Sequence, residues 1–267
     1  MPSHFESKPA SLVFETCRPS DVPEMCRMLA ETFARNDPPA VAVGLTPTEF
    51  EAFVRLISTS ERTRELTIVA RNPVSGSLAG AMLTEDAASL PPEGMAELSE
   101  KFDPIFDLFS LLDAQLAEPP VTEPGDVLHL FLLGVDDRFA GQGVGQGLVL
   151  GALNNGIARG YRTAIVEATN LRSQHIFSKL GFTTRAQTSY AAYRREGVPV
   201  FASITEHGGP VSMICDLREG THSTGDRQVG SGSNPAGRVA GVTPPRSARR
   251  RLSGALGSSP PKRPCRR

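Results

Sequence analysis

Four glycines at alternate positions, in Gly141-Gln142-Gly143-Val144-Gly145-Gln146-Gly147, stand where an apolar-faced helix begins. They follow the apolar strand Val127-Leu-His-Leu-Phe-Leu-Leu-Gly-Val135 across Asp136-Asp-Arg-Phe-Ala140. A buried strand, a glycine turn and a helix start together make an anion site. Glycine lets the backbone approach a phosphate closely, and the unpaired amides and helix dipole supply positive potential. Spacing separates the ligand classes that use this device. A Walker A loop needs four residues between its first glycine and Gly-Lys-Ser/Thr, and no such lysine is present. A dinucleotide fingerprint needs Gly-x-Gly-x-x-Gly directly after the strand. Counted from Gly141 the third glycine would be Gln146, and five residues separate Val135 from Gly141. Neither pattern fits.

The remaining pattern is Gly141-x-Gly143-x-Gly145 several residues past a strand, followed by Asn170, Ser173, Phe177 and Lys179-Leu180-Gly181-Phe182. It resembles the GNAT superfamily of N-acetyltransferases, whose signature reads roughly Val-x-Pro-x-x-Arg-Gly-x-Gly-x-Gly and then Asn-x-x-Ala-x-x-x-Tyr-x-x-Leu-Gly-Phe. The resemblance covers residues 127–183 and implies acetyl-CoA as co-substrate. It implies that the backbone of Leu132, Leu133, Gly134 and Val135 pairs with the pantetheine arm like an added strand. It also implies that the amides of Gly141, Gln142, Gly143, Val144, Gly145 and Gln146 hold the pyrophosphate and that Asn170 touches the pantetheine. Two positions depart from the signature. Ala140 replaces the arginine before the first glycine, with Arg138 two residues earlier as a partial substitute, and Phe177 replaces the tyrosine general acid.

Acetyl transfer needs a neutral amine, and alkyl ammonium ions have pKa values near ~10, so a group must accept a proton. Phe33-Ala-Arg-Asn-Asp37-Pro38-Pro39, then Gly44-Leu45-Thr46, resembles the N-terminal pattern of the arylalkylamine (dopamine-like) N-acetyltransferases of invertebrates. In that branch a glutamate before proline is the general base and a serine after the second motif assists as acid. Asp37 and Ser173 stand at those positions, and Tyr190, Tyr193, Phe201 and His207 are similar to that branch's C-terminal strands. His129 alternates with Leu128 and Leu130, so its ring leaves the strand on one face, toward where a substrate would sit. Glu167 on the next strand is a further proton acceptor to weigh. Each candidate also has a structural alternative: a loop cap for Asp37, a satisfied half-buried ring for His129, a strand-end charge for Glu167 and a helix-start hydroxyl for Ser173. The chemistry requires no metal and no covalent nucleophile, because two bound substrates can react directly.

Positioning such groups takes a sheet with helices on it. Residues 11–17 alternate apolar and polar and read as a strand, and Arg18-Pro19-Ser20-Asp21 then starts a helix to about Arg35. A loop containing Pro38 and Pro39 follows, and the capping box Thr46-Pro47-Thr48-Glu49 opens a helix to about Thr59. Residues 65–71 and 77–85 read as a hairpin, 95–118 as a long amphipathic helix with Pro104 as a candidate break, and 144–159 as a helix. Residues 163–169 form a strand, 171–180 a short helix, and 182–193 and 200–216 the last strands. The expected fold class is α/β (α+β), a GNAT-like mixed, mostly antiparallel central sheet flanked by helices. It is expected to splay between the strands at 127–135 and 163–169, within a domain spanning 8–218.

Composition agrees with a globular domain, at 39% hydrophobic and 21% charged residues. No apolar run reaches the ~20 residues of a membrane helix. Residues 1–20 hold no apolar signal core, so a cytoplasmic protein is expected. Cys17, Cys26, Cys215 and Cys265 are scattered, without a CxxC pair, which argues against a disulfide framework or a zinc site. Residues 219–267 carry ten Lys/Arg against two Asp/Glu and are rich in Gly, Ser, Pro and Arg, so a disordered basic tail is expected. Such a tail suits an anionic partner or nuclear import. The acidic remainder suits cationic amines and disfavours nucleic acid. The sequence thus points to an acetyl-CoA-dependent N-acetyltransferase acting on a small arylalkylamine or polyamine. A protein lysine or N-terminal acetyltransferase and a non-catalytic acyl-CoA-binding module are the alternatives.

Overall fold

Seven strands form one sheet: β1 (Val13–Thr16), β2 (Ile68–Arg71), β3 (Leu78–Asp86), β4 (Val127–Val135), β5 (Thr163–Ala168), β6 (Thr183–Gln187) and β7 (Val211–Asp216). Their spatial order is β1-β2-β3-β4-β5-β7-β6, and every neighbouring pair is antiparallel except β4 with β5. A computed structural model describes residues 11–116 and 123–218; the expected tail and residues 8–10 lie outside the described residues.

The parallel pair is short. Only Val127, Leu128 and His129 of β4 align with Thr163, Ala164 and Ile165 of β5. β5 then stays with β7 over its whole length, while β4 stays with β3 as far as Gly80 opposite Val135. The cause lies on β4: Leu83 faces Leu132 and Thr84 faces Leu130, so Phe131 is the extra residue of a β-bulge. A bulge bends its strand and sharpens the local twist, and this one comes two residues after the last β4–β5 pair. It also shifts the alternation. Leu128 and Leu130 face one core, Phe131 and Leu132 the other, and Leu133 and Val135 return to the first.

One core lies under α1 (Val22–Asn36), α3 (Pro47–Ile57) and α5 (Asp103–Asp113), the other under α6 (Val144–Ala158) and α7 (Leu171–Lys179). In α1 the buried Met25, Cys26, Met28 and Leu29 repeat at helical spacing, and the helix stops at Asp37 because a residue before proline is pushed to extended backbone. The Thr46/Glu49 capping box starts α3 as expected. α1 lies so close to β4 that a Cβ on Gly134 would sit 2.5 Å from Leu29 Cδ2.

Several elements differ from the sequence reading. Pro38 and Pro39 open a short helix, α2 (Pro38–Ala42), rather than a loop, since proline suits a first helical turn. Another short helix, α4 (Glu61–Leu66), delays the next strand to Ile68. Pro104 sits in the first turn of α5 instead of splitting a helix, and 3-10 turns at Met95–Glu97 and Glu100–Phe102 precede it. The strands expected at 182–193 and 200–216 shorten to β6 and β7; Gly208, Gly209 and Pro210 end any strand before Val211.

Gly134→Ala is expected to lower stability by about 1–3 kcal/mol through overpacking against the fully buried Leu29, measured by denaturant unfolding. An unchanged midpoint would show that α1 can yield at this contact.

Candidate active site

The parting of β4 and β5 opens a cleft, and the four proton-handling candidates Asp37, His129, Glu167 and Ser173 all line it. Asp37 is the hinge between α1 and α2. Its Oδ2 accepts a hydrogen bond from the Ala40 amide at 3.2 Å, and its Oδ1 accepts one from Thr169 Oγ1 at 2.6 Å. The cap foreseen as a structural alternative is therefore present, and the same carboxylate borders the cleft. Burial raises its pKa to about 6, and the Thr169 and Ala40 hydrogen bonds oppose that rise. A carboxylate with this value is ionised at neutral pH yet basic enough to take a proton.

His129 lies between two carboxylates. Its Nδ1 is 2.9 Å from Glu85 Oε1 on β3 and its Nε2 is 2.7 Å from Glu167 Oε2 on β5. Burial alone would favour the neutral ring, but the charges and hydrogen bonds of Glu167 and Glu85 outweigh it and raise the pKa to about 9. His129 is thus an imidazolium at neutral pH. Both ring nitrogens are engaged, so the ring is not a free neutral base. Ser173 closes a capping box at the start of α7: its amide donates to Asn170 Oδ1 at 2.9 Å and its hydroxyl to the Asn170 carbonyl at 2.9 Å. Asn170 and Ser173 therefore shape this helix start while also bordering the cleft.

On the β5 side, β4 has no partner strand beyond His129; Leu132 and Leu133 line the cleft, and Gly134 and Val135 continue the same unpaired edge. Past it, Gly141 and Gly143 adopt positive φ values of +75° and +79°, and an added Cβ at either would meet nothing within 4 Å. Conformation, rather than crowding, requires glycine there. The first-turn amides of Val144, Gly145 and Gln146 have no intrahelical acceptor and end a helix of 15 residues, an arrangement that suits phosphate. Gly145 differs: its Cβ would touch Ile176 Cδ1 at 3.4 Å. Beyond the turn, a Cβ on Gly147 would collide with the Phe14 ring, a packing role rather than a phosphate role. Arg138 is bound at 2.9 and 2.8 Å to Asp136, so its guanidinium already has a carboxylate partner. Phe177 is buried against Phe182.

The wall opposite β4 is aromatic. Phe53 stands 5.0 Å from Phe102 and 5.8 Å from Phe131, and Phe102 stacks on Phe106 at 5.7 Å. The sequence reading passed over this wall, although Phe102, Phe106 and Phe109 follow helical spacing and could have marked it. Glu85 and Thr169 were also passed over, and no local pattern distinguishes either. Among the described residues no cluster of His, Cys, Asp and Glu could hold a metal ion, and no helix is long and apolar enough to cross a membrane.

Residues 94–182 match the family model described as the acetyltransferase (GNAT) family. The match marks this stretch as similar to a GNAT acetyltransferase domain, a family of acyltransferases. The matched stretch holds β4, the glycine turn, α6, β5 and α7, whereas Asp37 and Glu85 precede it. The fold is shared with arylalkylamine N-acetyltransferase 2 from Aedes aegypti, at 22% identity and a TM-score of 0.65 over 77% of this chain and 99% of that one. The polyamine N-acetyltransferase of Drosophila melanogaster, which forms N-acetylagmatine, matches at 18% identity and 0.59 over 77% and 100%. The C-terminal condensation domain of Ebony, solved with beta-alanyl-dopamine, matches at 13% identity and 0.68 over 78% and 99%. These likenesses show a shared fold over the N-terminal elements that the family model does not reach.

The His129 bridge makes the stability of the fold pH-dependent. The folded value lies above the ordinary histidine value of 6.5, so the stabilisation is complete below pH 6.5 and is lost as pH rises through about 9. At ~1.4 kcal/mol per pKa unit, the loss is at most about 3 kcal/mol. Denaturant unfolding between pH 6 and 10 is expected to show this decline in the wild type and a flatter profile in His129→Gln; parallel profiles would refute the bridge.

Proposed function

We propose that the protein moves an acetyl group from acetyl-CoA directly to a small primary amine, with Asp37 as the proton acceptor. The observation that carries this reading is a cleft that joins a buried carboxylate of raised pKa to the open edge of β4 at Leu132 and Leu133, with the glycine-led start of α6 following the same strand. In this reading the backbone of Leu132, Leu133, Gly134 and Val135 pairs with the pantetheine arm, Asn170 borders it, and the amides of Gly141 to Gln146 receive the pyrophosphate. Bound acetyl-CoA supplies the thioester carbonyl that the amine attacks.

Asp37 would take the proton from the acceptor ammonium, directly or through water, leaving a neutral nitrogen beside the thioester. As the carbon–sulfur bond breaks, the departing thiolate needs a proton. Phe177 has none to give, so Ser173 is the side chain proposed for that step, releasing its hydrogen bond to the Asn170 carbonyl and regaining, through water, the second proton that the acylated nitrogen sheds. The aromatic wall and the absence of lysine and arginine among the cleft-lining residues favour a cation with an apolar body. Arg138, paired with Asp136, adds little to phosphate binding in this arrangement. Ala140 and Phe177 favour a second reading, a non-catalytic acyl-CoA-binding domain.

Thiol release from acetyl-CoA with tyramine, dopamine, serotonin, spermidine and a lysine peptide separates these readings: turnover with at least one of the small amines is expected, and CoA binding without turnover on any of them would leave the binding domain. Asp37→Asn is expected to reduce kcat/KM at least ~100-fold, within the range of general-base contributions. Wild-type kcat/KM is expected to rise with pH through about 6 as Asp37 ionises. Full activity in the variant, or no limb near pH 6, would remove Asp37 from the role.

A further inference from the structure

The cleft contains a second group of titratable side chains that proton transfer does not use. Glu85, His129 and Glu167 come from three adjacent strands, β3, β4 and β5, and all line the cleft. The side chains are largely buried, with 13% of His129, 19% of Glu85 and 13% of Glu167 exposed. Two carboxylates grip one cation from opposite sides, at 2.9 and 2.7 Å, which is how they would grip an ammonium ion. The ring also stands 5.1 Å from Phe131, where the aromatic wall begins.

We infer that the His129 ring fills the seat of a second cation and thereby determines specificity, so that the pocket accepts amines with one positive charge and an apolar remainder and rejects diamines. This inference rests on the amine-acetyltransfer reading above. With the ring in place, the far ammonium of a diamine would meet an imidazolium of like charge or phenylalanine side chains that cannot pair with it. Burying an unpaired ammonium is costly, so the diamine is disfavoured at binding. Without the ring, two carboxylates would face each other across a space of imidazole size in a partly dry cleft. An ammonium placed there would be paired on both sides. His129 acts here as a specificity-determining residue and takes no part in the transfer itself.

The test compares phenethylamine with putrescine as acceptors, using the full chain and acetyl-CoA. In His129→Ala the ratio of kcat/KM for putrescine to that for phenethylamine is expected to rise at least tenfold. Added imidazole at pH 6.5 should return it toward the wild-type ratio by refilling the seat, and Glu167→Gln in the His129→Ala background should cancel the gain. A fall of both substrates by a common factor, with the ratio unmoved by imidazole, would overturn the inference. If His129→Ala gives no cooperative unfolding transition, His129→Gln is read by the same ratio. If the wild type acetylates neither amine, the acetyltransfer reading has failed, and calorimetric binding of putrescine then decides the seat. At least tenfold tighter binding by the variant supports it, and equal affinity contradicts it.

Discussion

Two parallel strands that pair for three residues and then part are the constraint on which the rest of this molecule depends. A strand inside a sheet normally satisfies its amides and carbonyls on both sides. Here the Phe131 bulge turns β4 away from β5, and one side of its ladder opens into the interior without a partner strand. Such an edge suits an extended ligand arm with alternating donors and acceptors. The glycine turn lies at the end of the same strand, so an arm laid along the edge leads its phosphates to the first turn of α6.

The same parting exposes the groups that handle charge. β5 ends beside Thr169, whose hydroxyl reaches Asp37 at 2.6 Å and ties the α1–α2 hinge to the far side of the cleft. At the cleft's base, Glu85, His129 and Glu167 join three strands near the point where pairing stops. Buried carboxylates without such partners would be costly to keep ionised. The imidazolium offsets that cost in one place, while Asp37, relying on neutral donors, keeps a raised pKa. Two kinds of carboxylate therefore occupy one cleft, one available for proton transfer and the other committed to a cation.

Much of this was legible in the sequence because it is local. The glycine spacing, the Thr46/Glu49 box, the Asn170-to-Ser173 helix start and the Asp37-Pro38 break each span a few residues, and their physics is set by near neighbours. The splay followed from resemblance rather than from periodicity, and the strand order came only with the structure. The Glu85–His129–Glu167 bridge was not legible, because it depends on cross-strand register, and a slip of one residue would have sent His129 to the other face. The expected strand at 200–216 overran Gly208, Gly209 and Pro210, whose chemistry argued against it. The helices at Pro38–Ala42 and Glu61–Leu66 are too short to show an apolar stripe and depend on tertiary packing.

The central claim, that the open edge of β4 and the glycine-led start of α6 form a site for an acyl-CoA, is tested most directly by equilibrium thermal unfolding of the full chain with added nucleotides. Ligand that binds only the folded state raises the transition temperature in proportion to its saturation. CoA and acetyl-CoA are expected to raise it, while NAD and ATP at equal concentration leave it unchanged. No shift with either CoA species, or an equal shift with all four compounds, would contradict the account.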